Sequence, residues 1–223
     1  MTKRIKILVF LFLVSATLLA ACGGNPGTPG IVPNSLQSIE AAAEDIIDIA
    51  PGGNWEKIAA DVMTITDDWK TYAAQAGKDG ATQATQDALS TALHQLETAS
   101  VAKDPTATMQ SANSLSAAVV ELFAIYNPAI PADIGRLDVL ERQVVLDVAV
   151  DDYAAASTSL ASVRTVWENI QASVREHNGT GAADQFEASL AAQENALIAK
   201  DEAILRDEVN VGLEIVDEFE KLY

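Results

Sequence analysis

The chain has 223 residues, 49% of them hydrophobic, with 32 acidic against 14 basic side chains and a formal net charge of −18. That charge repels nucleic acid and anionic lipid, so neither is an expected partner. The apolar content is too high for a disordered acidic tail and suffices for one or two hydrophobic cores.

The first elements concern targeting. Lys3, Arg4 and Lys6 precede a charge-free apolar run over residues 7–21, which ends in small residues and then meets a Gly/Pro-rich stretch. A spanning helix needs about 20 apolar residues, so this layout reads as a secretory signal peptide over residues 1–21 and not as a retained anchor. The single cysteine of the chain, Cys22, follows directly. With no second thiol it has no intramolecular disulfide partner.

The stretch Leu19-Ala20-Ala21-Cys22 resembles the lipobox of bacterial lipoproteins. That resemblance implies cleavage before Cys22, a diacylglycerol on its thiol bearing acyl chains such as palmitate, and an extracytoplasmic protein held to the cell membrane or outer membrane. Where many inner-membrane lipoproteins carry aspartate, Gly23 follows the cysteine, which permits outer-membrane sorting. Each buried methylene contributes about 0.8 kcal/mol, so two or more chains on one residue anchor stably. Residues 22–33 then form a lipidated, Gly/Pro-rich tether, a coil spanning about 20 Å. Loss of the signal's three cations and no acids takes the net charge from −18 to −21.

Beyond the tether the periodicity is helical throughout. Leu36, Ile39, Ala43, Ile46 and Ala50 follow three-to-four spacing, and Pro51-Gly52-Gly53 ends the run. Further helices are predicted over roughly 54–76, 82–103 and 105–126, with Asp104 as an N-cap before Pro105. The second half repeats this layout. A shift of 98 sets Pro33 on Pro131, Trp55 on Tyr153 and Trp69 on Trp167; a shift of 97 sets Ala102-Lys103-Asp104 on Ala199-Lys200-Asp201 and Tyr126 on Tyr223. The fold expected is all-α: an antiparallel helical bundle of two tandem four-helix units, residues 34–127 and 128–223, arising by internal duplication. Whether the units form separate domains is open at this stage, as is whether residues 137–176, which lack Gly and Pro, form one long helix or break at Asp151-Asp152.

Candidate chemistry is sparse. The pairs Trp55/Trp69 and Tyr153/Trp167 each share a helix face and are read as bundle core rather than as a ligand cleft. His94 and Glu97 stand one helical turn apart, a spacing that metal sites in helices use. The segment His94-Gln95-Leu96-Glu97 resembles the His-x-x-Glu core of imelysin-like, iron-associated envelope proteins; a site completed by carboxylates from other helices would favour iron, manganese or calcium, which is the alternative ligand. That likeness covers four residues, and Ala191 stands at the repeat position of His94. His177, near a helix C-terminus, suits a capping role. Acidic pairs such as Glu44-Asp45 and Asp67-Asp68 are expected to face water. No calcium loop, nucleophile elbow, phosphate loop or zinc spacing occurs in the sequence.

The expectation is thus a lipid-anchored, non-enzymatic binding or interaction module of the cell envelope. It has no cofactor besides the lipid on Cys22, and its partners are the membrane, through that lipid, and another envelope protein. Cys22→Ala is expected to leave an uncleaved precursor or a released protein. Mass spectrometry of the membrane fraction checks this, and a mature acylated species in the variant would refute it.

Overall fold

The computed structural model describes residues 30–223; the signal segment, Cys22 and most of the tether lie outside them. The described residues form eight α-helices and contain no strand. The first four are α1 (Asn34–Ile49), α2 (Trp55–Asp79), α3 (Gln83–Ala102) and α4 (Pro105–Ala124). The second four are α5 (Ala132–Val148), α6 (Tyr153–Glu176), α7 (Thr180–Ala199) and α8 (Glu202–Glu220). No helix among the described residues is long and apolar enough to cross a membrane.

Local sequence explains the helix ends. The side chains of Asn54, Thr82, Asp104, Asp152 and Asp201 each accept a hydrogen bond from the backbone N–H three residues on, satisfying a donor that the helix itself leaves unpaired. Lys103 and Lys200 close α3 and α7 in the same left-handed conformation, with φ of 56° and 55°. Pro33 and Pro131 open α1 and α5 with nearly the same dihedrals. Two details differ from the periodicity. Helix α2 continues through Gly77 to Asp79, because its left-handed stop is Gly80. The stretch over residues 137–176 breaks, since Asp151 turns at φ 62° and Asp152 caps α6 through Ala155 N at 2.9 Å.

In each half every helix touches the next and the fourth returns to the first, which closes a four-helix bundle. The stripe predicted on α1 is entirely interior: Leu36, Ile39, Ala43, Ile46 and Ala50 are all buried in the first core. The second core is built on aromatic rings, with Trp167 stacked on Phe219 at 5.3 Å between centroids and tilted against Phe186 at 4.9 Å. Trp69 and Trp167 are buried, and their indole N–H groups donate to Ser90 Oγ (3.2 Å) and Glu187 Oε1 (2.6 Å). Trp55 and Tyr153 pack on the two cores half-buried. These rings are core with wetted edges.

The two bundles meet mainly along α4 and α5. There the Asn113 amide donates to Val139 O at 3.1 Å and to Gln143 Oε1 at 2.9 Å. The incoming chain is fixed beside this seam: Gly30 N–H donates to Tyr126 O at 2.9 Å. A Cβ on Gly30 would lie 2.4 Å from that oxygen, so only glycine permits the approach. The Tyr126 hydroxyl in turn donates to Asp79 Oδ2 at 2.6 Å.

Because Asp104 and Asp201 cap equivalent starts, at 3.0 Å from Ala107 N and 3.2 Å from Ile204 N, replacing either by Ala should lower stability by about 0.5–2 kcal/mol. Thermal melts of both variants measure this, and unchanged melts at both positions would contradict the capping role.

Candidate functional site

The seam between the bundles holds an unusual concentration of carboxylates. On α1 the apolar stripe faces its own core, so Glu40 and Glu44, one turn apart, lie on the flank turned toward the second half. On α5, Asp138 and Arg142 are likewise one turn apart. Arg142 Nη1 pairs with Asp138 Oδ2 at 2.6 Å, and Nη2 reaches across to Glu44 Oε1 at 3.1 Å. Burial disfavours the guanidinium charge, but Asp138 and Glu44 outweigh that and hold it protonated.

Glu40, Glu44 and Asp138, with Glu220 at the end of α8, line a pocket of about 470 Å³. Its remaining walls are mostly apolar: Ile31 and Val32 from the incoming chain, Val120 and Phe123 from α4, and the Pro128–Pro131 connection, with Gln37 as the further polar group. Glu40 Oε2 is buried here without a hydrogen-bond partner. Burial, reinforced by Glu44 and partly countered by Arg142, pushes the Glu40 carboxyl up to about 8. Asp138 is pushed up to about 7 by burial, against the pull of Arg142 and with Glu44 and Glu220 adding to it. Glu220 is raised by burial and by Asp217 and Glu44. Four acids therefore share one embedded cation, and protons supply part of the missing positive charge.

A fifth acid sits apart from the pocket. Glu141 occupies a core position of the stripe Ile134, Leu137, Glu141, Val144 and Val148, and it is fully buried. Gln193 Nε2 donates to its Oε1 at 3.2 Å. A Cβ on Gly212 would lie 2.9 Å from that same oxygen, so the missing side chain makes the room. Burial pushes Glu141 up to about 8, and the Gln193 bond only partly opposes it. A glutamate standing in an apolar register was the available sequence signal for this residue. Glu40, Asp138 and Glu220 gave none, since on a single helix they read as solvated faces.

The residues singled out from sequence fall elsewhere. His94 and Glu97 are brought together at 3.9 Å, but His94 is exposed, Glu97 is half-buried, and they line different grooves. Glu97 Oε1 instead accepts from Thr66 Oγ1 at 3.4 Å. Among the described residues no three His, Cys, Asp or Glu side chains converge closely enough to hold a metal ion. His177 is the C-cap of α6, its Nδ1 at 2.9 Å from Ser173 O. The pair Glu44-Asp45 keeps contact with water but is also paired, Glu44 with Arg142 of the other bundle and Asp45 with Lys57 at 2.5 Å. Cys22 lies outside the described residues. Compared with known proteins, the chain matches no family model, and no similar curated protein or solved structure was found.

The buried acids give stability a defined pH dependence. Glu40, Asp138 and Glu141 keep protons in the fold that the unfolded chain releases near its ordinary values of 4.5 and 3.8. The unfolded state thus binds fewer protons, and stability falls as pH rises from those values toward 7–8, by up to about 1.4 kcal/mol per pH unit for each group. Glu121, held below the ordinary range by its Arg136 pair, has the opposite sign and loses its contribution on acidification. Glu141→Gln, an uncharged isostere, should flatten the decline between about pH 5 and pH 8. Urea titrations across that range measure it; curves parallel to those of the parent chain would contradict the assignment of Glu141.

Proposed function

We propose that this protein is a lipid-anchored, extracytoplasmic module of the cell envelope that acts non-enzymatically, by binding in the recess between its two bundles. The observation that carries the reading is the recess itself: a preformed pocket of about 470 Å³ with an apolar wall and a buried, unpartnered carboxylate oxygen. Small-molecule sites have this character, being concave, mostly apolar and furnished with a few placed polar groups. Its position supports the anchoring. Seven residues separate Cys22 from Gly30, eight steps along the chain that span at most about 29 Å when extended. A lipid on Cys22 therefore keeps the recess near the membrane, beside the point where Gly30 is tied to Tyr126.

The duplication belongs to the same reading. Matching proline starts at residues 33 and 131, matching left-handed lysines, and aspartate caps at residues 104 and 201 support descent of both bundles from one four-helix unit. On that view the recess is what joining two copies created, since a single unit lacks the opposing half.

Ala129 is exposed and lines the recess from a connection outside both cores, so Ala129→Trp should cover the pocket without disturbing either core. The full chain, purified in detergent, is expected to melt at a higher temperature in the presence of an envelope extract. A ligand at one hundred times its Kd adds about 2.7 kcal/mol. Ala129→Trp should abolish the response. No shift in the parent chain, or an equal shift in the variant, would refute binding at this recess.

A further inference from the structure

We infer that the recess takes a primary alkylammonium ion, its charged head among Glu40, Glu44, Asp138 and Glu220 and its alkyl body against Val32, Val120 and Phe123. This deepens the binding role proposed above and rests on it. Three features of the site select that chemistry.

The first is charge. The groups facing this corner are Glu40 and Glu44 from α1, Asp138 and Arg142 from α5, Asp217 and Glu220 from α8, and Lys221 just after it. Arg142 is already engaged by Asp138 and Glu44, and with Lys221 the corner sets two cations against five acids. A carboxylate or phosphate ligand would add to the excess and is disfavoured.

The second is the unmet hydrogen-bonding capacity of Glu40. Its carboxyl lines the pocket, and its Oε2, shielded from water, has no hydrogen-bond partner, which for an acceptor is costly. An ammonium head carries three N–H donors and no acceptor, so it can serve the Glu40 carboxyl and neighbouring carboxylates together.

The third is the shape of the charge distribution. A bare metal ion needs several oxygens converging at bonding distance, and the described residues do not group that way. The pocket is lined instead by these acids together with the apolar Val32, Val120 and Phe123, as an amphiphilic cation requires. A free alkylamine and a lysine side chain of a partner protein share this chemistry; the free amine is the simpler occupant of a pocket of this size.

Binding should release the protons that Glu40 and Asp138 hold, so affinity rises with pH while the amine itself stays charged. The test is calorimetric titration of the full chain in detergent with n-hexylammonium, 1-hexanol and Nα-acetyl-lysine methylamide, at about pH 6 and pH 8. Hexylammonium is expected to bind, at least about tenfold more tightly at the higher pH, and hexanol is not. Glu40→Gln replaces the protonated acid by its isostere, so the fold should persist, while hexylammonium affinity falls about tenfold or more. The acetyl-lysine compound binding more tightly than hexylammonium would support the same site with a protein lysine as its source. Hexanol binding as well as hexylammonium, no binding of either amine, or unchanged affinity in a folded Glu40→Gln chain would overturn the inference. Failure here alongside a melting response to envelope extract would leave the binding role standing with a different ligand.

Discussion

Arg142 is the charge around which the seam is organised. It stands on α5, yet it binds one carboxylate of its own helix at 2.6 Å and one from α1 of the other bundle at 3.1 Å. A guanidinium can do this because its planar fork presents donors in several directions at once. Taking it out of water is costly, and the return comes only from well-placed partners; removing one partner of such a buried pair typically costs about 3–5 kcal/mol. The contact between the bundles is thus polar at its rim and depends on a specific register of α1 against α5. The Asn113 bonds to Val139 and Gln143 fix the same register from α4.

One cation cannot neutralise the acids gathered around it. In low dielectric, neighbouring carboxylates cannot all ionise, so some hold their protons far above the ordinary range. The Glu40 and Asp138 shifts to about 8 and about 7 come first from burial, and that imbalance adds to them. The same imbalance makes the pocket receptive to an incoming positive charge, so the stability of the seam and the chemistry of the recess have one physical origin. Glu141 solves burial differently. Its charge is removed by protonation, one oxygen is served by Gln193, and Gly212 clears the space that the carboxyl occupies. It belongs to the packing of the second bundle and does not line the recess.

Much of the architecture can be read from residue order because helices are local objects. The three-to-four spacing of Leu36, Ile39, Ala43 and Ile46 names the buried face of α1 with no knowledge of what covers it. Asp104 before Pro105 marks a helix start because the N-cap bond spans only three residues. The break at Asp151-Asp152 was the less legible case. Helix propensity through that stretch is continuous, and the outcome turned on one residue adopting a left-handed φ and the next capping α6.

The sequence alone determined the all-helical class, the helix starts capped by Asp104 and Asp201, the inward face of α1 and the place of the tryptophans in the core, since each depends on periodicity or on contacts a few residues apart. Tertiary structure alone decided which charged residues matter. Glu44 and Arg142 are 98 positions apart, and Glu40 and Glu220 come from opposite ends of the folded chain. On its own helix each acid sits beside the apolar stripe, where a side chain normally meets water. Only the second bundle, packed against that flank, takes Glu40 and Asp138 largely out of water beside the half-exposed Glu44 and the exposed Glu220, and leaves the cluster partly protonated. His94 and Glu97 illustrate the converse: their one-turn spacing is a local fact and the structure keeps it, but no other helix brings a third metal-ligating side chain to them. A site needs groups converging from several elements, and convergence is a property of packing that periodicity along one helix cannot encode.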